Sequence, residues 1–208
     1  MTINKWFIAV AAIAISADVA YAADRPWWAD RGLYIGAGAG RSGLDSDCEG
    51  VVYRAESCEA HYEKPTSTKL FLGYHVRYVA LEVSHAWLGT FTETATSQGF
   101  TTKRESKPRA FTLQAVGILP VGNNWAAQGW IGLSAMRIPR REETPGAIPR
   151  YSSYTDYDFG YVIGAGVRYD FDRNVGVRAG IERHVCCSTY AADWIVYFRS
   201  VSVTYQFR

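Results

Sequence analysis

The stretch from Lys69 to Gly89 constrains the fold of this chain more than any other part of the sequence. It contains two runs in which large apolar residues alternate with small or charged ones, and a turn near His75–Arg77 separates the runs. This period of two predicts β-strands, because successive side chains of a strand point to opposite faces. The apolar face consists of Leu70, Leu72, Tyr74, Val76, Val79, Leu81, Val83 and Trp87. The stretch is therefore predicted to be a hairpin with one bulky apolar face.

The composition of the two faces predicts which of them points outward. A soluble, lipocalin-like barrel turns its bulky apolar face inward and puts a well-charged face into water. A transmembrane barrel does the reverse, with apolar residues toward lipid and small or isolated charged residues in a narrow lumen. The face that holds Lys69, Gly73 and Glu82 suits such a lumen. The hairpin therefore favours a membrane barrel.

The same alternation recurs along the chain and predicts an all-β fold, an eight-stranded antiparallel up-and-down transmembrane barrel. Besides the two runs of the hairpin, the predicted strands are Gly32–Ser42, Arg109–Val121, Trp125–Ile138, Tyr157–Phe171, Val175–Val185 and Trp194–Phe207. The longer connections are polar and are predicted to be loops: Gly43–Thr66, Thr90–Pro108, Pro139–Tyr154 and Cys186–Asp193. Long loops that alternate with short turns are typical of outer-membrane barrels, whose long loops lie outside the cell.

The N-terminus has the three parts of a secretory signal peptide, which we assign to residues 1–22. Lys5 gives a positive start, Trp6–Ala17 is an apolar run, and Ala20-Tyr21-Ala22 is an A-x-A cleavage site. Residues 23–31 are predicted to be a periplasmic lead and 32–208 the barrel domain. The mean hydropathy of −0.12 does not argue against a membrane, because a barrel spreads its lipid-facing residues over alternate positions.

Three segments also resemble a known family. They are Tyr78-Val-Ala-Leu-Glu82 followed by Trp87-Leu-Gly89, the GLYIGAGAG segment that starts at Gly32, and the alternating last strand that ends at Phe207. They are similar to small OmpA-like, porin-family outer-membrane barrels, although Arg208 follows the terminal aromatic here. The resemblance implies the outer membrane of a Gram-negative bacterium, contact with its lipid and lipopolysaccharide, insertion by the barrel machinery, and a monomer.

Aromatic residues are expected to form two girdles where the barrel wall meets the lipid head groups. The periplasmic girdle is predicted to contain Trp28, Tyr74, Trp125, Tyr169, Tyr205 and Phe207, and the outer girdle Trp87, Phe91, Phe159 and Trp194. His85 and Arg199 share the lipid-facing parity and are therefore expected near the outer rim.

Five charged residues share the lumen face: Lys69, Glu82, Arg168, Arg178 and Glu182. The interior of an eight-stranded barrel is just filled by side chains, so these charges must pair. We expect a Glu82–Arg178 contact, or a network that includes Glu182 and Arg168. Such a network is interpreted as a structural plug, with catalysis or gated conduction as alternatives.

The four cysteines, Cys48, Cys58, Cys186 and Cys187, are disulfide candidates because the chain is exported. A Cys48–Cys58 staple is favoured, and a Cys48–Cys186 or Cys58–Cys187 bridge between neighbouring loops is the rival. His184, Cys186 and Cys187 lack the C-x-x-C spacing of a zinc site. No metal or cofactor is expected.

His184 and Cys186 are weak catalytic candidates. Lipid A deacylases are also eight-stranded outer-membrane barrels, and they carry His-x-Ser on a late strand, whereas this chain has His184-Val185-Cys186. The alternative interpretation of His184 is a histidine at the rim of the seventh predicted strand. We favour that alternative and expect no catalysis.

The loops are the predicted place of function. Basic residues concentrate in and directly beside the second and third long loops: Lys103, Arg104, Lys107, Arg109, Arg137, Arg140, Arg141 and Arg150. They suit lipopolysaccharide phosphates or acidic host polymers, or they pair with acidic loop residues. With a net charge of only +2, nothing points to nucleic acid. The predicted function is structural or surface-interactive, and the alternatives are a lipid A deacylase and a lipocalin-like binder.

Overall fold

Eleven β-strands build the described part of the chain. The computed structural model describes residues 32–45, 57–61, 64–97, 100–122, 124–144, 150–186 and 194–207, so the predicted signal peptide, the lead and Trp28 lie outside it. The strands are β1 (Gly32–Asp45), β2 (Ser57–His61), β3 (Thr66–Val76), β4 (Val79–Trp87), β5 (Phe91–Ser97), β6 (Phe100–Ser106), β7 (Arg109–Pro120), β8 (Trp125–Thr144), β9 (Arg150–Asp170), β10 (Val175–Cys186) and β11 (Trp194–Gln206). No helix among these residues is long and apolar enough to cross a membrane.

Eight of the strands form a closed antiparallel ring, in the order β1, β3, β4, β7, β8, β9, β10, β11. The ring closes where β1 pairs with β11, with Ala37 opposite Val203. The connections β3–β4, β7–β8 and β9–β10 are short and lie at the end of the barrel where β1 begins and β11 ends. This is the predicted eight-stranded up-and-down barrel. The first turn lies at Arg77 and Tyr78, where Arg77 adopts a φ of +53°.

The outer end of the barrel contains more strand than the sequence predicted. The segments Gly43–Thr66, Thr90–Pro108 and Pro139–Tyr154 were predicted to be loops, and that prediction was wrong. β2, β5 and β6 lie within the first two segments, while β8 and β9 run on to Thr144 and from Arg150. The β5–β6 hairpin continues the sheet beside β8, with Glu105 opposite Arg141. We use the name outer sheet for β5, β6 and the parts of β8 and β9 that lie between Pro139 and Tyr154.

The lipid-facing and lumen-facing sides of the strands are as predicted. Leu81, Ile163 and Val203 point away from the barrel axis, with exposed fractions of 58%, 46% and 55%. Glu82 and Arg178 point inward, with exposed fractions of 0% and 5%. A lipocalin-like barrel would have these two sets exchanged. The apolar surface of this barrel therefore faces lipid.

Two apolar clusters fill the lumen along with the charges. The outer cluster consists of Leu44, Ala86, Leu88, Phe91, Ala110, Met136, Ile138, Cys186, Val196 and Phe198. The inner cluster consists of Tyr34, Phe71, Ala80, Val116, Ile118, Ala126 and Trp130. Gly36 lies under the ring of Phe71, and Gly164 under Trp130, at distances that leave no room for a β-carbon. The lumen glycines therefore make space for the aromatic rings of other strands.

The wall aromatics line the two ends of the apolar belt. At the periplasmic end, ring centroids are 4.8 Å apart for Trp125–Tyr169 and 5.1 Å apart for Tyr205–Phe207. At the outer end, Trp87 packs against His85 at 4.4 Å. Phe91 was expected in the outer girdle, and that expectation was wrong, because its side chain lies inside the barrel in the outer cluster. The exposed wall aromatics also include Tyr74 and Phe159, while the side chain of Trp194 lies outside the described part.

Candidate functional site

Glu82 is the centre of a hydrogen-bond network across the lumen. Arg178 on the opposite side of the ring donates to both carboxylate oxygens, with Nη1–Oε2 at 2.8 Å and Nη2–Oε1 at 3.2 Å. Tyr34 donates its hydroxyl at 3.0 Å and Gln114 its amide at 2.6 Å. A buried ion pair is tolerated when its remaining lone pairs are also satisfied. The network thus fastens β1, β4, β7 and β10 to one another.

The guanidinium of Arg178 also lies between aromatic rings of the inner cluster. It is 4.2 Å from the centroid of Phe71 and 5.3 Å from that of Trp130. Such cation–π contacts gain strength in a desolvated site. The pair that the sequence predicted, Glu82 and Arg178, is thus held by both charge and packing.

Lys69 links this network to a second group of polar side chains. Its Nζ lies 2.5 Å from Glu182 Oε1 and 3.5 Å from Glu82 Oε1. His184 lies beyond, with Nε2 3.4 Å from Glu182 Oε2 and Nδ1 3.4 Å from Ser134 Oγ. His184 lies two residues before the end of β10, and its side chain is fully buried on the lumen face that it shares with Arg178 and Glu182.

Arg168 has a partner that the sequence analysis missed. Its Nε and Nη2 donate to Asp170 Oδ1 at 2.9 and 2.7 Å. Asp170 is two residues further on β9 and so shares the lumen face, near the periplasmic end. The predicted strand Tyr157–Phe171 already contains Asp170, so the parity argument that selected Arg168 also reaches this residue.

Cys186 is buried at the outer end of β10, where its thiol donates to Met136 Sδ at 2.8 Å. Cys48 and Cys187 lie outside the described residues, as does the side chain of Cys58. The disulfide therefore stays a prediction. No group of three or more His, Cys, Asp or Glu side chains within the described ranges is placed to hold a metal ion.

The outer sheet has its own polar centre at Glu142. Arg104 of β6 donates to Glu142 Oε1 through Nε at 2.6 Å, and Tyr154 of β9 donates to the same oxygen at 2.7 Å. Burial alone would raise the pKa of this carboxyl group, but the hydrogen bonds from Tyr154 and Arg104 outweigh burial and hold the pKa below its ordinary value. Glu142 therefore joins three strands outside the membrane.

Several basic residues of the outer end are paired with acids. Besides Arg104, Arg140 lies 3.2 Å from Asp156, and Lys107 lies 2.8 Å from Glu105. The pairing interpretation of the basic segments thus holds for these three. Lys103 and Arg141 instead line an open depression of about 440 Å³ between β6, β8 and β9.

The sequence matches one protein family over almost its whole length. The family model of the outer membrane protein beta-barrel domain matches residues 7–207. The chain belongs to this family. It is a β-barrel of the outer membrane of a Gram-negative bacterium, which confirms the predicted fold class, family and location.

Solved structures support the same fold for this outer-membrane barrel. Neisserial surface protein A is 15% identical, with a TM-score of 0.57, and the match covers 86% of this chain and 99% of that one. Ail of Yersinia pestis, in complex with the heparin analogue sucrose octasulfate, is 14% identical with a TM-score of 0.51 and coverages of 86% and 99%. OprG of Pseudomonas aeruginosa is 12% identical with a TM-score of 0.52 and coverages of 85% and 96%. No curated protein sequence matches. At these identities the likeness shows the fold alone.

Proposed function

We propose that this outer-membrane barrel is a monomeric, non-enzymatic surface protein that presents its outer sheet to partners outside the cell. The observation that carries the proposal is the continuation of β8 and β9 beyond the apolar belt, where β5 and β6 extend the sheet. The Glu142 centre fixes this sheet. A preorganised polar surface loses little conformational entropy on binding, which favours recognition.

The depression in the outer sheet is the candidate contact region. Lys103 and Arg141 lie in it with Glu105 and Glu143, and Tyr151 adds an aromatic ring that is 74% exposed. Mixed charges beside an exposed tyrosine suit a polar macromolecule such as a glycan or a protein loop. Because Ail was crystallised with a heparin analogue, a sulfated glycan is the first ligand to test.

The lumen supports a role without catalysis or conduction. Ser134, His184 and Glu182 follow one another at contact distance, the order of a serine–histidine–acid relay. All three are almost completely buried, Lys69 engages Glu182, and the outer cluster lies above them. A lipid substrate would have to displace this packing to reach Ser134.

The binding role is tested by shortening the β5–β6 hairpin. Replacing residues 94–103 with a short Gly-Ser connection should preserve heat-modifiable migration, because the eight-stranded ring is left intact. It should reduce binding of the purified protein to immobilised heparin or to extracellular-matrix proteins. The proposal fails if native protein binds none of these surfaces, or if the shortened protein binds them equally well.

The non-enzymatic role is tested separately with lipopolysaccharide in detergent. We expect no release of fatty acid by the native protein, and no difference between native protein and the His184→Ala variant. Release that depends on His184 would establish the deacylase alternative instead.

A further inference from the structure

Three oxygen-bearing side chains lie close together at the periplasmic end of the lumen. Asp170 and Thr204 are the partners of Gly176 on its two neighbouring strands, and their side-chain oxygens lie beside the position that a β-carbon of Gly176 would take. Gln206 is the next lumen-facing residue of β11, and its backbone amide donates to Asn174 in the β9–β10 turn. All three side chains are almost completely buried. We use the name acceptor group for Asp170, Thr204 and Gln206.

The acceptor group has more hydrogen-bond acceptors than the described residues have donors for it. One oxygen of each member has no hydrogen-bond partner within the described ranges: Asp170 Oδ2, Thr204 Oγ1 and Gln206 Oε1. The two hydrogen bonds from Arg168 both go to the other carboxylate oxygen of Asp170. A buried acceptor that lacks a donor is costly, so native structures satisfy such groups with protein or with water. A buried water molecule makes about three hydrogen bonds to groups of this kind.

Further buried polar atoms without a partner in the described part of the chain lie higher in the lumen, around the Glu82 network. They are Gln114 Oε1, Gln128 Oε1 and Trp130 Nε1. Gln114 donates to Glu82, and Trp130 lies against the guanidinium of Arg178. The need for outside hydrogen-bond partners therefore extends from the periplasmic end to the middle of the lumen.

This need ends below the outer cluster. Near the cluster, hydroxyl groups satisfy one another, as Ser84 Oγ and Thr112 Oγ1 do at a distance of 2.6 Å. The cluster itself contains one polar side-chain group, the thiol of Cys186, and this thiol donates to Met136 Sδ. Water therefore has hydrogen-bond partners at the periplasmic end and finds none in the outer cluster.

We propose that water from the periplasm binds the acceptor group and occupies the lumen up to the Glu82 network, and that the outer cluster is the barrier between this water and the outside of the cell. A hydrophobic constriction of this kind excludes water and ions. The lumen is then a chamber that opens toward the periplasm alone, and its barrier is apolar packing rather than the Glu82–Arg178 pair. The inference does not depend on the proposed function of the outer sheet.

Two isosteric exchanges on the lumen face of β11 test the two ends of the chamber. Thr204→Val removes a hydroxyl group at the periplasmic end, and Val196→Thr adds one inside the outer cluster. If water satisfies Thr204, the urea midpoint of unfolding in vesicles should stay unchanged or fall in Thr204→Val. In a dry site the same change would remove an unsatisfied polar group and raise the midpoint. The midpoint should fall in Val196→Thr, because the added hydroxyl has no partner.

Water contact is also measured directly in the native protein, which covers the case that Val196→Thr does not fold. In solid-state NMR of the barrel in lipid bilayers, magnetisation transfer from water should reach Thr204 and Gln206 as fast as it reaches Arg173, which is exposed at the periplasmic turn. Transfer to Leu44 and Val196 should be as slow as transfer to the lipid-facing Val203. A raised midpoint in Thr204→Val, an unchanged midpoint in Val196→Thr, slow transfer to Thr204, or fast transfer to Val196 would each overturn the proposal.

Discussion

At the scale of single residues, parity along a strand is sufficient to pair charges across the lumen. Glu82 and Arg178 were predicted to meet because both fall on the small-residue face, and side chains on that face fill the interior of the barrel. Parity does not give the position of a residue along the barrel axis, however. Arg168 was therefore expected in the same network, whereas it binds Asp170 near the periplasmic end. That position depends on strand register and barrel stagger, which no local pattern in this sequence contains.

Replacing Glu82 with Gln should be among the most damaging single changes in the lumen. It leaves the buried guanidinium of Arg178 without a counter-charge, which costs about 3–5 kcal/mol. Urea unfolding in vesicles, followed by tryptophan fluorescence, measures the loss. Ser84→Ala on the same face is the matched control, because it removes only a neutral hydrogen bond to Thr112 and should cost about 1 kcal/mol. Equal losses would mean that the ion pair is not a principal support of the barrel.

Gly36→Ala should destabilise the barrel by overpacking. A β-carbon at this position would meet the ring of Phe71, which is itself held between Tyr34 and Arg178, so a cost of about 1–3 kcal/mol follows. Gly117→Ala is the control, since its β-carbon would come no closer than 3.7 Å to any atom. The same unfolding experiment compares the two, and Gly36→Ala combined with Phe71→Leu should recover part of the loss.

At the scale of elements, the sequence identified the strands that cross lipid and missed those that do not. A lipid-crossing strand needs one apolar face, which imposes a period of two on its sequence. Outside the membrane a strand needs no apolar face toward lipid, so β5 and β6 carry threonines and charges, and their buried face includes Glu93, Arg104 and Ser106. Their pairing is instead set by contacts such as Thr96–Thr101, with hydroxyl oxygens 3.2 Å apart. Neither the outer sheet nor the Glu142 centre was therefore visible in the alternation.

Acid should loosen the outer sheet before it affects the barrel. The pKa of Glu142 is lowered in the folded protein from an ordinary value of 4.5. Its ionised form thus stabilises the sheet fully above that value, and the contribution is lost as pH falls through the lower, folded-state pKa. Hydrogen exchange in peptides of β6, corrected for intrinsic rates, should increase below about pH 4.5.

In the variant Glu142→Gln, hydrogen exchange in β6 peptides should be faster than in the native protein already at neutral pH. This exchange should also depend less on acid. Glu105→Gln is the control, because the Glu105–Lys107 pair is solvent-exposed and such pairs contribute little. If hydrogen exchange in β6 of the native protein, corrected for intrinsic rates, does not change with pH, the assignment of Glu142 as the polar centre of the outer sheet is contradicted.

At the scale of the whole molecule, closure of the ring determines which surfaces meet lipid, water and each other. The pairing of β1 with β11 brings both ends of the domain to the side of the short turns and the long hairpins to the other. Sequence periodicity predicted this arrangement because the alternation in each lipid-crossing strand indicates which of its two faces is toward lipid. It did not predict how the lumen is closed, since the apolar clusters join residues that are distant in sequence, such as Leu44 and Phe198.

The membrane orientation makes a depth-dependent prediction for the wall between β8 and β9. Ile131 lies in the middle of the lipid-facing side of β8. Phe159 lies on the neighbouring strand β9, near the outer end of the lipid-facing wall, and both side chains are exposed. An arginine costs about 2–4 kcal/mol at the midplane of the bilayer and about 0–1 kcal/mol near the interface. Ile131→Arg should therefore lower the free energy of unfolding in vesicles, and so destabilise the barrel, far more than Phe159→Arg. In a water-facing wall both changes would be nearly neutral, so equal and small effects would contradict the assignment of this surface to lipid.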